Sequence, residues 1–229
     1  MSDHLQHELK KEFQLERMIL FSDAVFAIAI TLLAIELKLP AEVTIDKIVV
    51  SLDRHSATDP ALLTGLGEMM GKFIGFFISF FIIGLYWTVH HRMFGYVVNY
   101  NNKLLRLNLI YLMAIVLMPF STALYSEYAV RFLKVPVIIY TINIIFLGVM
   151  NYILWNYVSN PKNNLAAGIS TVEKKYFAYR AFMVPTIFFL LGVVYLLVQK
   201  TYAIYIPILI PITMRVFKKI YFKRHNLKE

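Results

Sequence analysis

Three polar side chains interrupt an apolar run near the start of the chain. Arg17 stands at the entry of the run, Asp23 follows six residues later, and Thr31 lies at mid-depth. Ionisable groups inside a membrane-spanning segment are energetically expensive, so they usually face a protein interior or a water-filled path. A carboxylate there can couple to a proton or a sodium ion, and hydroxyl oxygens can contact a partly dehydrated cation. The search for function therefore starts in this run.

A second set of reactive side chains is formed by His90, His91 and Glu127, the only groups that would suit a membrane enzyme. The two histidines lack the carboxylates that a zinc site would need beside them. Their predicted depths also place Glu127 on the opposite side of the membrane. We therefore expect no enzymatic activity and no cofactor. The simpler interpretation of the histidines is an interfacial pair that touches lipid headgroups.

The composition indicates a membrane protein that crosses the bilayer several times. The chain has 229 residues, of which 59% are apolar and 16% charged, against roughly 45–50% and 25% in soluble domains. The net charge of +9 comes from basic residues that lie between the apolar runs. This distribution favours a role in membrane topology over nucleic-acid binding. With no cysteine present, disulfides and thiolate chemistry are excluded.

The apolar runs predict an all-α fold with six transmembrane helices, because about 20 apolar residues are needed to cross the hydrocarbon core. The predicted membrane domain covers residues 18–219, between an N-terminal segment at 1–17 and a basic tail at 220–229. The predicted spans are about 18–39, 70–91, 104–124, 135–157, 176–198 and 202–217.

The polar loop at 41–59 has two interpretations. Ile45, Ile48, Val49 and Leu52 could form a short amphipathic helix on the membrane surface, or the segment could be a solvated loop. After the loop, Asp59-Pro60 predicts a helix start, with an acid as N-cap and proline at the first position.

The basic residues predict the orientation. With both termini in the cytoplasm, the inside segments hold sixteen of the 23 lysines and arginines, and the outside segments hold seven. An excess of this size on one side is typical of cytoplasmic loops. We therefore expect a multi-pass protein of the cell membrane with both ends inside.

A helical wheel separates two faces of the first span. Placing Ile28 at zero and advancing 100° per residue puts Phe21 and Ile35 within about 20° of it. Four further residues fall within about 60°, namely Ala24, Val25, Thr31 and Leu32. Asp23 lies about 140° away, so it does not share the apolar line. This line is either ordinary packing surface or the lining of a pore that closes by dewetting.

Asp23 needs partners from other helices. Arg17 and Asp23 are about 240° apart on the wheel, which makes a pair within the helix poor. His90, His91 and Asn108 are predicted at the same cytoplasmic depth. Because unsatisfied polar groups cost several kcal/mol in lipid, a network that joins these groups is expected.

Three motifs carry a resemblance to a known family. Arg17-x-x-x-Phe21-Ser22-Asp23, with Thr31 eight residues later, resembles the first-helix signature of the transmembrane protein 175 family of potassium channels. Trp87-x-x-His90-His91-Arg92-x-Phe94 resembles its second helix. Leu105-x-Leu107-Asn108-Leu109 with Pro119-Phe120 resembles its third. The resemblance covers roughly the first half of the chain, and the second half is similar only in hydropathy.

The resemblance implies a homotetramer of single-repeat chains in which the first helices line the pore. Ile28 matches the narrowest hydrophobic constriction, Thr31 a threonine layer thought to favour potassium, and Leu32 and Ile35 further lining positions. The residues implied to hold the helix in place are Arg17, Phe21, Ser22, Asp23, His90 and Asn108. As in the family, no T-V-G-Y-G loop is present. Ala27 departs from relatives that carry serine there.

These observations predict a potassium-preferring cation channel with a hydrophobic gate and a transient potassium path near Thr31. The expected partners are other copies of the chain and the lipid bilayer, with no nucleic acid. One alternative is a secondary transporter that uses Asp23 as a proton or sodium coupling site. Another is a scaffold without transport activity.

Overall fold

The computed structural model describes residues 2–38, 42–45, 48–51, 58–128, 133–198 and 210–224. The helices are α1 (Ser2–Ile35), α2 (Asp59–Glu68), α3 (Met70–Phe94), α4 (Asn102–Val116), α5 (Met118–Tyr128), α6 (Lys134–Val158), α7 (Thr171–Val198) and α8 (Ile210–Arg224). Two strands, β1 (Glu42–Ile45) and β2 (Ile48–Ser51), follow α1.

Five helical segments are long and apolar enough to cross a membrane within the described ranges. They are Leu9–Ile35, Met70–Phe94, Asn102–Tyr128, Lys134–Val158 and Thr171–Tyr195. The third consists of α4 and α5, which meet at Leu117. These segments correspond to the first five predicted spans. Much of the predicted sixth span, at about 202–217, lies outside the described residues, and its remainder falls in α8.

Of the two interpretations of the 41–59 loop, the amphipathic helix is wrong for the part that the structure describes. β1 and β2 form an antiparallel pair in which Glu42 faces Ser51 and Ile45 faces Ile48. The β-branched residues that suggested one face of a helix are also strong strand formers, and here the strand preference prevails. The all-α prediction therefore holds for the bundle and fails for this hairpin.

The start of α2 also differs by one residue from the prediction. Thr58 is the N-cap, with an extended backbone, and Asp59 is the first helical residue. Asp59 still lies in the first turn, where its negative charge is favourable beside the helix dipole.

The bundle is held by close approaches between neighbouring helices. α1 packs against α3, α4 and α5, while α6 packs against α4, α5 and α7. A side chain at Gly75 of α3 would place its Cβ 2.8 Å from the Cβ of Ser126 on α5. A Cβ at Gly148 of α6 would collide with the ring of Pro185 on α7. These glycines let the backbones approach as small residues do in membrane helix pairs.

The turns that join the helices meet at one end of the bundle. The backbone N–H of Val98, after α3, donates to the carbonyl of Leu165, between α6 and α7, at 2.8 Å. Trp155 Nε1 of α6 donates to the carbonyl of Lys174 on α7 at 3.0 Å. All of these segments were assigned to the same side of the membrane from their basic residues. The structure thus groups them spatially, which the charge count alone could not do.

Candidate ion pathway along the first helix

One face of α1 packs into the bundle. Its buried residues are Met18, Ser22, Phe26, Ala29 and Leu33. Their spacing of four, four, three and four residues is that of a single helical stripe. On the wheel used above, this stripe is centred about 120° from Ile28.

The predicted lining residues lie on the other, uncovered face of α1. Ile28 is 58% exposed and Ile35 is 64% exposed, and Phe21 and Leu32 are also exposed. The apolar line is therefore not packed against the rest of its own chain. In a membrane, such a surface must be covered by lipid or by another protein surface.

Thr31 is the hydroxyl on this uncovered face. Its Oγ1 donates to the backbone carbonyl of Ile28 at 2.9 Å. A hydroxyl that donates its proton still has oxygen lone pairs for an acceptor role. Because the proton is turned back to the helix, the oxygen can present these lone pairs to a cation beside the helix.

A chain of buried hydrogen bonds fixes the packed face. Ser22 Oγ donates to the carbonyl of Met18 at 2.8 Å and accepts from Asn108 Nδ2 at 2.8 Å. Asn108 Oδ1 lies 2.9 Å from His90 Nε2. Since Oδ1 can only accept, His90 must carry its proton on Nε2 and donate it. Ser22, His90 and Asn108 thus link α1, α3 and α4, as the predicted network requires.

Aromatic rings enclose the His90 imidazole. It stacks on Phe94 with ring centroids 4.2 Å apart, and on Tyr111 at 5.5 Å with an angle of 7° between the planes. The ring of Phe26 on α1 lies on a third side, with its centroid 5.5 Å from that of the imidazole. His90 is 1% exposed, so its surroundings are those of a packed structural residue. The interpretation of His90 as a headgroup contact is therefore wrong.

Asp23 has a partner that the sequence reasoning did not assign. Trp87 Nε1 of α3 donates to Asp23 Oδ1 at 2.9 Å. The Trp87 ring also lies 5.6 Å from the exposed His91 ring. The signal was present, because Trp87 precedes His90 by three residues and so lies near it on the same helix face.

Arg17 and Phe21 are placed differently from the residues of this network. Both are exposed, and the Arg17 guanidinium lies over the Phe13 ring, 5.9 Å from its centroid. On the wheel, Arg17 falls within about 20° of the Ile28 line. The structure therefore brings Ser22, His90 and Asn108 together, joins Asp23 to α3, and leaves Arg17 and Phe21 on the uncovered face of α1.

A second buried polar cluster was missed by the sequence analysis. Thr122 Oγ1 of α5 lies 2.7 Å from Ser79 Oγ of α3, which lies 2.8 Å from Tyr140 Oη of α6. Nearby, Asn143 Nδ2 of α6 donates to Ser121 Oγ at 3.1 Å. The available signal was a set of isolated polar residues within apolar runs. These bonds tie α6 to the helices that carry the α1 contacts.

The described residues hold no group of three or more histidine, aspartate or glutamate side chains that could bind a metal ion.

The sequence of this region is similar to that of a known protein family. Residues 17–119 match the model of the family described as "Endosomal/lysosomal potassium channel TMEM175". The N-terminal half of the chain is TMEM175-like. This confirms the resemblance drawn from the three motifs, all of which lie in or at the edge of the matched stretch. The TMEM175 match includes the buried chain of hydrogen bonds and the uncovered face of α1.

Three curated relatives are named potassium channels. One from Streptomyces collinus is 35% identical over 109 residues, covering 47% of this chain and 46% of the relative. One from Chamaesiphon minutus is 31% identical over 126 residues, covering 54% and 55%. One from a Chryseobacterium strain is 27% identical over 177 residues, covering 77% and 80%. The matches thus span about half the length of the first two relatives. Their names are those of channels, in agreement with the prediction that the chain is not an enzyme.

A solved structure shares the fold over nearly the whole chain. It is a "lysosomal potassium-selective channel TMEM175 homolog" from Chamaesiphon minutus, with a TM-score of 0.67 and 22% identity. The match covers 91% of this chain and 98% of that one. The helical arrangement is therefore TMEM175-like in the second half as well, where the sequence showed only hydropathy.

Proposed function

We propose that the chain is one subunit of a homotetrameric, potassium-preferring cation channel in the cell membrane. The observation that carries this proposal is the division of α1 into a face held in the bundle and an apolar face left uncovered. The TMEM175-like sequence and fold support it. The transporter alternative has no support among the relatives, which are named channels.

The uncovered face has the spacing of a helix seam. Phe21, Ala24, Ile28, Thr31 and Ile35 are all exposed and follow one another by three, four, three and four residues. This average of 3.5 residues per turn is the repeat by which parallel helices supercoil around a common axis. Four α1 helices related by symmetry would bury this seam against one another and leave a narrow axial path.

The proposed gate is the ring of Ile28 side chains. A ring of aliphatic side chains at a narrow point expels water, and ions then cross only when the ring widens and wets. One turn further along, Thr31 hydroxyls would supply oxygens to a partly dehydrated potassium ion, in place of a T-V-G-Y-G loop. Leu32 and Ile35 would continue the lining toward the far end.

The buried hydrogen bonds have a positioning role in this proposal. The bond from Asn108 to Ser22 and the bond from Trp87 to Asp23 attach α1 to α4 and α3 from two directions. A rotation of α1 about its axis would break both, so they hold the Ile28 line toward the central axis. We place both termini in the cytoplasm, because the basic segments meet at the end of the bundle where the network lies.

The test is ion flux into proteoliposomes under a potassium gradient, with the subunits counted by crosslinking. Ile28→Asn should raise the flux, since an amide ring wets at a width where an isoleucine ring does not. Leu20→Asn is the matched control. Leu20 is 60% exposed on the same helix but lies about 80° from the Ile28 line. Unchanged or lower flux in a correctly assembled Ile28→Asn tetramer would exclude Ile28 as the gate.

A further inference from the structure

The last described helix is strongly basic. α8 carries five basic side chains and no acidic one over Ile210–Arg224. Its buried side faces the start of α7. The Phe217 ring stacks on Tyr176 with centroids 5.9 Å apart, and Tyr221 Oη donates to the carbonyl of Val172 at 3.2 Å. The last turns of α8 therefore lie beside the first turn of α7.

The outward side of α8 carries a row of apolar side chains and, parallel to it, a row of basic side chains. Ile212, Val216 and Ile220 are exposed and spaced by four residues. Arg215, Lys219 and Lys223 are also exposed and have the same spacing. Residues three apart on a helix are neighbours, so the basic row runs directly beside the apolar one. Each row spans about 12 Å along the helix axis.

The first turn of α7 adds to this surface. Lys175 is exposed there, and one turn later Tyr179 places its ring 6.4 Å from the ring of Tyr221. The nearby acid, Glu173, is engaged elsewhere, since it accepts from Tyr96 Oη at 2.7 Å and from the backbone N–H of Ser170 at 3.0 Å. The corner between α7 and α8 therefore presents positive charge beside apolar side chains and a tyrosine.

We propose that this corner binds an anionic phospholipid. The acyl chain would lie along the row of Ile212, Val216 and Ile220, and the phosphate would sit along the neighbouring basic row of Arg215, Lys219 and Lys223. The leaflet is the cytoplasmic one in the orientation proposed above. The two rows together favour a phospholipid over a nucleic acid or a free phosphate, because neither of those ligands has an apolar chain that could cover the apolar row. Tyr179 suits the same depth, since tyrosines favour the boundary between headgroups and hydrocarbon.

The test is native mass spectrometry of the intact oligomer in detergent, titrated with phosphatidylglycerol or phosphatidylcholine of the same chain length. Phosphatidylglycerol should bind more tightly. The double variant Lys219→Gln with Lys223→Gln should lower its affinity by about fivefold per lysine removed, the effect of one cationic residue near an anionic surface. Replacing both lysines by arginine should retain binding, which keeps the test valid if glutamine disturbs the helix.

The matched control removes the same charge from the same side of the protein. Lys10→Gln with Lys162→Gln alters two exposed lysines outside this corner and should leave the lipid affinity unchanged. Equal binding of the two lipids, or equal loss in the test and control variants, would overturn the proposal. The measurement does not involve ion conduction, so a negative flux assay and a negative lipid assay are separate results.

Discussion

Replacing Asn108 tests whether the buried hydrogen bonds hold α1 in position. Asn108 is 1% exposed and bonds through both ends of its amide, to Ser22 on α1 and to His90 on α3. Asn108→Leu keeps the approximate volume of the side chain and removes both bonds. Ser22 retains its bond to the carbonyl of Met18, whereas the His90 N–H loses its acceptor.

The size of the effect follows from these two bonds. Hydrogen bonds between membrane helices average about 0.6 kcal/mol and reach about 1.7 kcal/mol in double-mutant cycles. A buried donor left without an acceptor costs about 1–3 kcal/mol. We therefore expect Asn108→Leu to lower the free energy of unfolding by about 2–3 kcal/mol. A double-mutant cycle with Ser22→Ala should give a coupling energy of about 1 kcal/mol.

Asn143→Leu is the matched control for this variant. Asn143 is also a buried asparagine that donates to a serine, Ser121, but on α6 and α5 rather than on α1. It makes one such bond instead of two, so it should lower the stability of the protein by about 1 kcal/mol and leave potassium flux unchanged. Asn108→Leu should additionally change potassium flux or weaken the tetramer, because α1 is then free to rotate.

Equilibrium unfolding in detergent, crosslinking and proteoliposome flux measure these three quantities on the same preparations. The reasoning is refuted if Asn108→Leu leaves stability, assembly and flux at their original values. It is also refuted if Asn143→Leu alters flux to the same extent, since the effect would then be a general consequence of losing a buried amide.

Three further predictions concern other contacts. Asp23→Ala should weaken the tetramer, measured by crosslinking, before it alters ion preference, and an intact tetramer with changed selectivity would place Asp23 in the pore. Gly75→Ala should cost about 1–3 kcal/mol in unfolding, because its Cβ has no room against α5. Gly67→Ala, where nothing lies within 4 Å, should be neutral or slightly stabilising, and equal effects would contradict this packing. Burial, aided by the hydrogen bond to Glu173, raises the pKa of Tyr96 to about 12. The stabilisation from Tyr96 should therefore be full below pH 10 and lost as the pH rises to about 12. Thermal unfolding of Tyr96→Phe should converge with the original protein over that window, and a constant difference would contradict the assignment.

The two faces of α1 could be predicted because they depend on local periodicity. The 100° step of a helix alone separates the Ile28 line from Asp23. The structure leaves Ile28 and Ile35 uncovered and buries Ser22 on the other side. Whether those uncovered residues meet one another across an axis is a property of the assembly, and it stays a prediction.

The partners of the polar groups were only partly predictable. Equal depth suggested that His90 and Asn108 would meet α1, and Asn108 bonds to Ser22 while His90 bonds to Asn108 and packs on Phe26. Equal depth also suggested His90, His91 or Asn108 for Asp23, but the carboxylate accepts from Trp87 instead. Which donor on that helix face reaches the acceptor depends on the rotation of each helix about its axis, and local periodicity does not fix that rotation.

In the 41–59 loop, by contrast, the local sequence pattern itself was ambiguous. Its β-branched residues fit either one face of a helix or a pair of strands, and the local pattern does not separate the two. In the structure the backbone partners come from the antiparallel pairing of β1 with β2, whereas a short isolated helix is costly to nucleate.

Hydropathy and periodicity were enough to predict an α-helical membrane protein, its first five candidate membrane-spanning helices and the two faces of α1. These properties follow from hydropathy and from a repeat of 3.6 residues, and both are local. The tertiary structure decided the partners of Asp23, the cluster around Ser79, the contact at Gly75 and the position of α8 beside α7. Each of these requires two distant segments to approach at a particular rotation and depth, and only the packed bundle sets those.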